Sequence, residues 1–167
     1  VTADVLKTVS PALVFCRTRH GANRLAKQLS RFDINVATIH GSRTQNQRAR
    51  ALNQFSSGHV QALVATDVAA RGIHVDAVAV VLHYDPPADT KTYVHRSGRT
   101  ARAGREGLVV SLVHPEETRE ARQLDRELGI KASFSRTNGG VLNGVSPETE
   151  VPLGEKQIGS GSSEEKR

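Results

Sequence analysis

Four arginines fall within ten residues in the segment Tyr93-Val-His95-Arg96-Ser-Gly98-Arg99-Thr-Ala-Arg102-Ala-Gly104-Arg105. Arg96, Arg99 and Arg102 share roughly one side if the segment winds as helical turns. So many guanidinium groups, with few acids nearby, repel one another unless an anion visits them. Arginines aimed at a phosphoryl group in transfer stabilise the charge that builds in the transition state, commonly by ~10³-fold or more. A solvated basic turn is the weaker reading. A second segment, Thr66-Asp67-Val-Ala-Ala-Arg71-Gly72, brings a hydroxyl, a carboxylate and a glycine together. There Asp67 either orients a neighbouring arginine or caps a short turn, and Gly72 allows a positive φ or a close approach to a ligand. In a third, Arg17-Thr18-Arg19, a hydroxyl and backbone N–H groups stand where a helix begins. That is an anion site or a plain N-cap by Thr18, and the residues alone leave both open.

These segments need elements to hold them, and the chain alternates short apolar runs with amphipathic stretches. Residues 12–16, 35–39, 60–65, 77–82 and 107–113 read as strands. Residues 20–31, 44–55, 90–98 and 115–128 read as helices, the last opened by Pro115 and stopped at Gly129. Strands that are apolar throughout and separated by helices predict an α/β fold, a mostly parallel sheet with helices on both faces in three layers. Ligands of such sheets sit at the carboxyl ends of the strands, where the chemistry-bearing segments fall. Beyond about residue 134 the chain turns rich in Gly, Ser, Glu and Pro. Residues 135–167 are therefore expected to be a mostly disordered tail, 11–134 the single domain, and 1–10 a linker remnant.

The chain has 167 residues, with mean hydropathy −0.40, a single cysteine and no long apolar run. Membrane spans and a disulfide framework are excluded, and a cytoplasmic setting is expected. Cys16 reads as packing inside a strand. His20, His40, His59 and His114 lack ligand spacing, so no metal is expected. Val1 is not a Met, as in a piece of something longer. Over residues 1–134, 19 basic side chains face 12 acidic ones, and 15 of the 19 are Arg; residues 135–167 carry 4 basic and 5 acidic side chains. The basic part reads either as a solvated surface, which composition alone does not exclude, or as the footprint of a polyanionic partner: nucleic acid, nucleotide or both.

Four stretches then stand in order: Leu-Val-Phe-Cys-Arg-Thr (13–18), His-Gly-x-x-x-Gln-x-x-Arg (40–48), Ala-Thr-Asp-Val-Ala-Ala-Arg-Gly-Ile (65–73) and His-Arg-x-Gly-Arg-x-x-Arg (95–102). They resemble motif IV, the Gln-x-x-Arg segment, motif V and motif VI of DEAD-box ATP-dependent RNA helicases, over roughly residues 11–113. The resemblance implies the C-terminal RecA-like domain of such an enzyme, which closes with an N-terminal RecA-like domain over ATP and RNA. It implies arginine fingers at Arg99 and Arg102. It gives His95 and Arg96 closure and linkage of the two sites, and Thr18, Gly41, Gln45, Arg48, Thr66 and Gly72 the RNA backbone. Where the family places a ribose-contacting Asp two positions after Arg-Gly, this chain has His74, with Asp76 two residues further on.

The chain has no Gly-Lys-Ser/Thr phosphate loop and no Asp-Glu-Ala-Asp segment. ATP and Mg²⁺ are thus expected mainly on the N-terminal domain, with no cofactor on this chain and no ATP hydrolysis by it alone. Single-stranded or duplex RNA and the N-terminal domain are the expected partners, and a monomer suffices. Two alternatives remain at this level: a non-catalytic RecA-like module binding RNA or protein, and a DNA-directed relative of the same helicases.

Overall fold

The computed structural model describes residues 1–102, 104, 106–137 and 140–145. Its elements run α1 Thr2–Thr8, β1 Ala12–Cys16, α2 Arg19–Ser30, β2 Val36–Ile39, α3 Gln45–Ser56, β3 Ala62–Thr66 and α4 Asp67–Ala70. They continue with β4 Val80–His83, α5 Thr90–Ser97, β5 Leu108–Val113, a 3₁₀ turn at Pro115–Glu117, α6 Thr118–Leu128, β6 Ser133–Thr137 and β7 Gly140–Val145. The strands form one sheet in the order β2-β3-β1-β4-β5-β7-β6. The first five are parallel, while β7 runs antiparallel to both β5 and β6.

β1 and β3 are buried at every position, as strands covered on both faces must be. Alternate residues serve opposite faces. Leu13, Phe15, Leu63, Ala65 and Val81 pack with Ala51 and Phe55 of α3, Tyr93 of α5, and partly buried Leu124 and Leu128 of α6. Ala12, Val14, Val64, Val80 and Leu82 pack with Ala22, Leu25 and Leu29 of α2 and Leu6 of α1. The helix ends follow local chemistry. Thr44 and Gln47 form a reciprocal capping box on α3, Asp89 caps α5, and Gly129 ends α6 with φ 68°.

The structure departs from the sequence reading at both ends of the domain. Residues 2–8 are helical rather than linker, and Leu6 is 1% exposed because the spacing of Leu6, Val5 and Val9 lays an apolar stripe on the α2 face. On the carboxyl side, strands over 133–137 and 140–145 stand where disorder was expected past 134. β7 supplies backbone hydrogen bonds to β5, which would otherwise be an open edge. Such pairing needs little aliphatic side-chain area, so the composition of the segment does not reveal it. The expected tail over 146–167 lies outside the described residues.

Candidate nucleotide and nucleic-acid interface

Two of the chemistry-bearing segments emerge at the carboxyl edge of the parallel strands, after β1 and β3; the third leaves α5, with Arg96 reaching that edge and Arg99 and Thr100 pairing with Val78 ahead of β4. β1 delivers Thr18, whose hydroxyl accepts from the Gly21 N–H at 3.0 Å and caps α2. β2 delivers His40 and Gly41. His40 is 3% exposed, and its Nε2 lies 3.0 Å from Asn23 Oδ1. Burial, reinforced by Arg43, Arg19 and His20, lowers its pKa from the ordinary histidine value, so the ring stays neutral among cations. Arg43 donates to Thr38 Oγ1 at 2.6 Å, and Arg19 donates to Ser42 Oγ at 2.9 Å, tying the loop after β2 to the start of α2.

β3 delivers Thr66, 8% exposed, directly into α4. Gly72 follows with φ 80°, a conformation that costs L residues with a Cβ about 1 kcal/mol or more, and a Cβ there would meet open space. Arg48, half-buried on α3, donates to the Ala69 carbonyl at 3.1 Å, so it joins the Gln-x-x-Arg segment to the loop after β3. Gln45 and Gly41 are exposed beside it. The six residues expected along an RNA strand thus lie in the segments after three neighbouring strands and in the first turn of α3, which the Arg19–Ser42 and Arg48–Ala69 bonds link.

Arg96 is the fixed centre of the site. Its side chain is 4% exposed, and it donates from Nε and Nη2 to the two Asp67 oxygens at 2.7 Å each. Nη1 donates to the Asp85 carbonyl, also at 2.7 Å, and the guanidinium carbon lies 5.1 Å from the Phe15 ring centroid. A bidentate pair of this kind fixes orientation as well as charge. The Asp85 carboxylate turns the other way and accepts from the Arg17 N–H at 2.6 Å. One arginine therefore bolts α5 to the ends of β1, β3 and β4. Beneath it His83 is fully buried, shares a 2.9 Å hydrogen bond with Ser111, and meets Phe15 and Tyr93 edge-on. Burial, with Arg96 adding repulsion, holds His83 neutral well below the usual histidine range.

Arg99 and Arg102 converge on one carboxylate. Arg99 Nη1 lies 3.2 Å from Asp76 Oδ1 and Arg102 Nη1 lies 3.1 Å from Oδ2. Arg99 also donates to the Ile73 carbonyl at 3.2 Å. The segment carrying them is registered by Val78, whose N–H donates to the Arg99 carbonyl and whose carbonyl accepts from the Thr100 hydroxyl. Gly107 makes that close approach possible, because a Cβ there would collide with Thr100 Oγ1 and the Ala101 backbone. Arg99, Arg96, His95 and Gly72 line one cleft of about 230 Å³.

The fold and site have counterparts among known proteins. The family described as "Helicase conserved C-terminal domain" matches residues 2–104. The chain is 42% identical over 119 residues to the ATP-dependent rRNA helicase RRP3 of Saccharomyces cerevisiae, covering 71% of this chain and 24% of the relative. It is 39% identical over 130 residues to the ATP-dependent RNA helicase DbpA of Bacillus subtilis, covering 77% and 27%. The chain belongs to the DEAD-box helicase C-terminal domains.

This helicase domain spans about a quarter of the length of those relatives. Among solved structures it superposes on the E. coli DEAD-box protein SrmB, bound there to regulator of ribonuclease activity A, with a TM-score of 0.72. Identity is 38% and coverage 75% of each chain. The C-terminal domain of the DEAD-box protein Dbp5 gives a TM-score of 0.68 at 32% identity, with 76% of this chain and 78% of that one covered.

The structure of this helicase domain also places the remaining residues. His95 is exposed in the cleft and His74 is exposed two residues past Gly72, and neither makes a side-chain hydrogen bond among the described residues. Asp76, a ribose candidate beside His74, instead has both oxygens engaged by Arg99 and Arg102. Sequence reading missed the roles of Asp85, Asn23 and Arg43, because their partners lie far away in the chain and carry no local spacing signal. Among the described residues no three His, Cys, Asp or Glu side chains gather as metal ligands would. No described helix is long and apolar enough to cross a membrane.

Proposed function

We propose that this domain is the finger-bearing half of an ATP-dependent RNA helicase. It works against a second RecA-like lobe that holds ATP with Mg²⁺. The observation that carries this reading is the convergence of Arg99 and Arg102 on a single anion. Two guanidinium groups already directed at the two oxygens of Asp76 are spaced to take two oxygens of a phosphoryl group instead. The residues present therefore fit a triphosphate presented from outside, while no carboxylate set for the metal gathers among the described residues. Bound ATP and Mg²⁺ supply the phosphoryl group and neutralise part of its charge.

The chain's own residues do the rest. Arg99 and Arg102 leave Asp76 when the lobes close and take up charge on the γ-phosphoryl oxygens as it spreads. Arg96, buried on Asp67, keeps the root of that segment fixed to the loop after β3. His74 and His95 border the nucleotide side of the cleft. The RNA backbone runs across Thr18, Gly41, Gln45, Arg48, Thr66 and Gly72. Hydroxyls, backbone N–H groups and one guanidinium position phosphates there without reading bases. The Arg96–Asp67 pair ties α5 to the segment after β3, so that nucleotide and RNA report to the same rigid unit.

Binding of an oligouridine strand to the two-lobed protein, measured across a salt series, tests the RNA half of this reading. Arg48→Ala is expected to weaken binding and to flatten the salt dependence by about 0.7 in log–log slope, the value for one lost phosphate contact on a single strand. An unchanged slope removes Arg48 from the strand. Equal affinity for the matching deoxyuridine strand favours a DNA-directed protein instead.

A further inference from the structure

A second concavity opens away from the cleft, between the turn after β4, the start of α5, and α6. It measures about 460 Å³, enough for one or two side chains of a partner. Its floor is apolar, made by Pro87, Tyr93, Val113, Ala121 and Leu124. Its rim is acidic: Asp89, Glu117, Glu120 and Glu127 surround it, against Arg17 as the one cation among its described lining residues. None of those four carboxylates is ion-paired among the described residues. The Thr92 N–H keeps the Asp89 carboxylate ionised below its ordinary range. Residues 1–134 as a whole carry a net +7, so this rim is opposite in sign to the net charge of the domain.

We propose that this groove docks a basic segment of a partner protein, seating one aliphatic side chain on the Leu124 and Val113 floor with Lys or Arg on either side. Charge complementarity selects that occupant. A nucleic-acid strand is repelled by four carboxylates. The chain's own residues 146–167 carry five acids against three bases and are repelled as well. Flanking cations meet rim carboxylates at partly exposed positions, which sets partner choice and encounter rate, while the apolar anchor supplies the contact area. A segment bound there rests on Thr90 and Tyr93 of α5, the helix whose other end carries Arg96.

The test titrates the isotopically labelled 167-residue chain with a capped pentapeptide of alternating arginine and leucine, following backbone amide shifts. Saturable shifts are expected at Thr90, Ala121 and Leu124, with a Kd of roughly 1 mM or tighter. Binding is expected to weaken about tenfold in the variant carrying both Glu120→Lys and Glu127→Lys, two exposed α6 positions away from the cleft. It is also expected to weaken severalfold at about 0.5 M salt, where the Debye length is cut to roughly half its low-salt value. A glutamate–leucine pentapeptide is expected to leave those amides unmoved. The proposal is overturned by shifts confined to other surfaces, by no saturation at roughly 5 mM peptide, by equal binding of the acidic peptide, or by unchanged affinity in the folded double variant. Concentration-dependent shifts at the same amides without peptide would assign the groove to a second copy of the chain and overturn it equally.

Discussion

Replacing Asp67 by Asn tests whether Arg96 is the bolt of the site. In the native structure a guanidinium with 4% exposure is neutralised by a carboxylate that is itself 32% exposed. Removing one partner of a fully buried pair costs about 3–5 kcal/mol, because a desolvated charge is left unmatched. Water reaching the exposed side of position 67 offsets part of that. The Asn oxygen keeps one of the two hydrogen bonds, and the Asp85 carbonyl keeps the third. The net loss is therefore about 2 kcal/mol, or roughly 4–8 °C in Tm for a domain of this size. Urea and thermal unfolding of the chain measure it, with an unchanged m-value showing that the unfolded state is not the cause. A double-mutant cycle with Arg96→Ala should return a coupling of about 1 kcal/mol or more. A loss below about 0.5 kcal/mol, or no coupling, would mean that the pair orients nothing and that the cleft is held by packing alone.

Two further outcomes follow from the same geometry. His83 and His40 both have folded pKa values below the ordinary 6.5, so the unfolded chain binds more protons at acid pH. Stability should be full above about pH 6.5 and fall as pH drops below it, by about 1.4 kcal/mol per unit for a histidine that stays neutral throughout. His83→Gln should remove most of its share of that slope in pH-dependent urea melts, and an unaltered slope would contradict the neutral buried ring. Gly107→Ala should destabilise the domain by roughly 2 kcal/mol, since the new methyl must displace Thr100 and the Ala101 backbone. A melting temperature equal to wild type would show that the arginine segment is not packed against the start of β5.

The central part of the fold was legible because its signals are local. Five apolar strands, their helices, the Thr18 cap and the Gly129 stop all follow from runs, periods and caps within a few residues. The carboxyl-edge position of the segments after β1 and β3 followed from fold class alone, whereas the pairing of Arg99 and Thr100 with Val78 ahead of β4 did not. What escaped depends on distant partners. The pairing of β7 with β5 is a backbone bond across about thirty residues of chain, and Leu6 is core only because α2 is beside it. Asp76 illustrates the same limit inside the site. It stands two residues beyond His74, which holds the family's ribose position, and nothing local in the chain announces that its carboxylate meets arginines 23 and 26 residues away. The Asp67–Arg96 pair lies between these cases. By sequence the carboxylate either orients an arginine or caps a turn, and the fold pairs it with the arginine 29 residues away.

ATP turnover by the two-lobed protein, in saturating RNA, measures the finger assignment most directly. Arg99→Ala and Arg102→Ala should each lower it by roughly 10²–10³-fold while RNA affinity stays within about twofold of wild type. Turnover unchanged by either substitution, or lost only in proportion to weakened RNA binding, would contradict the account.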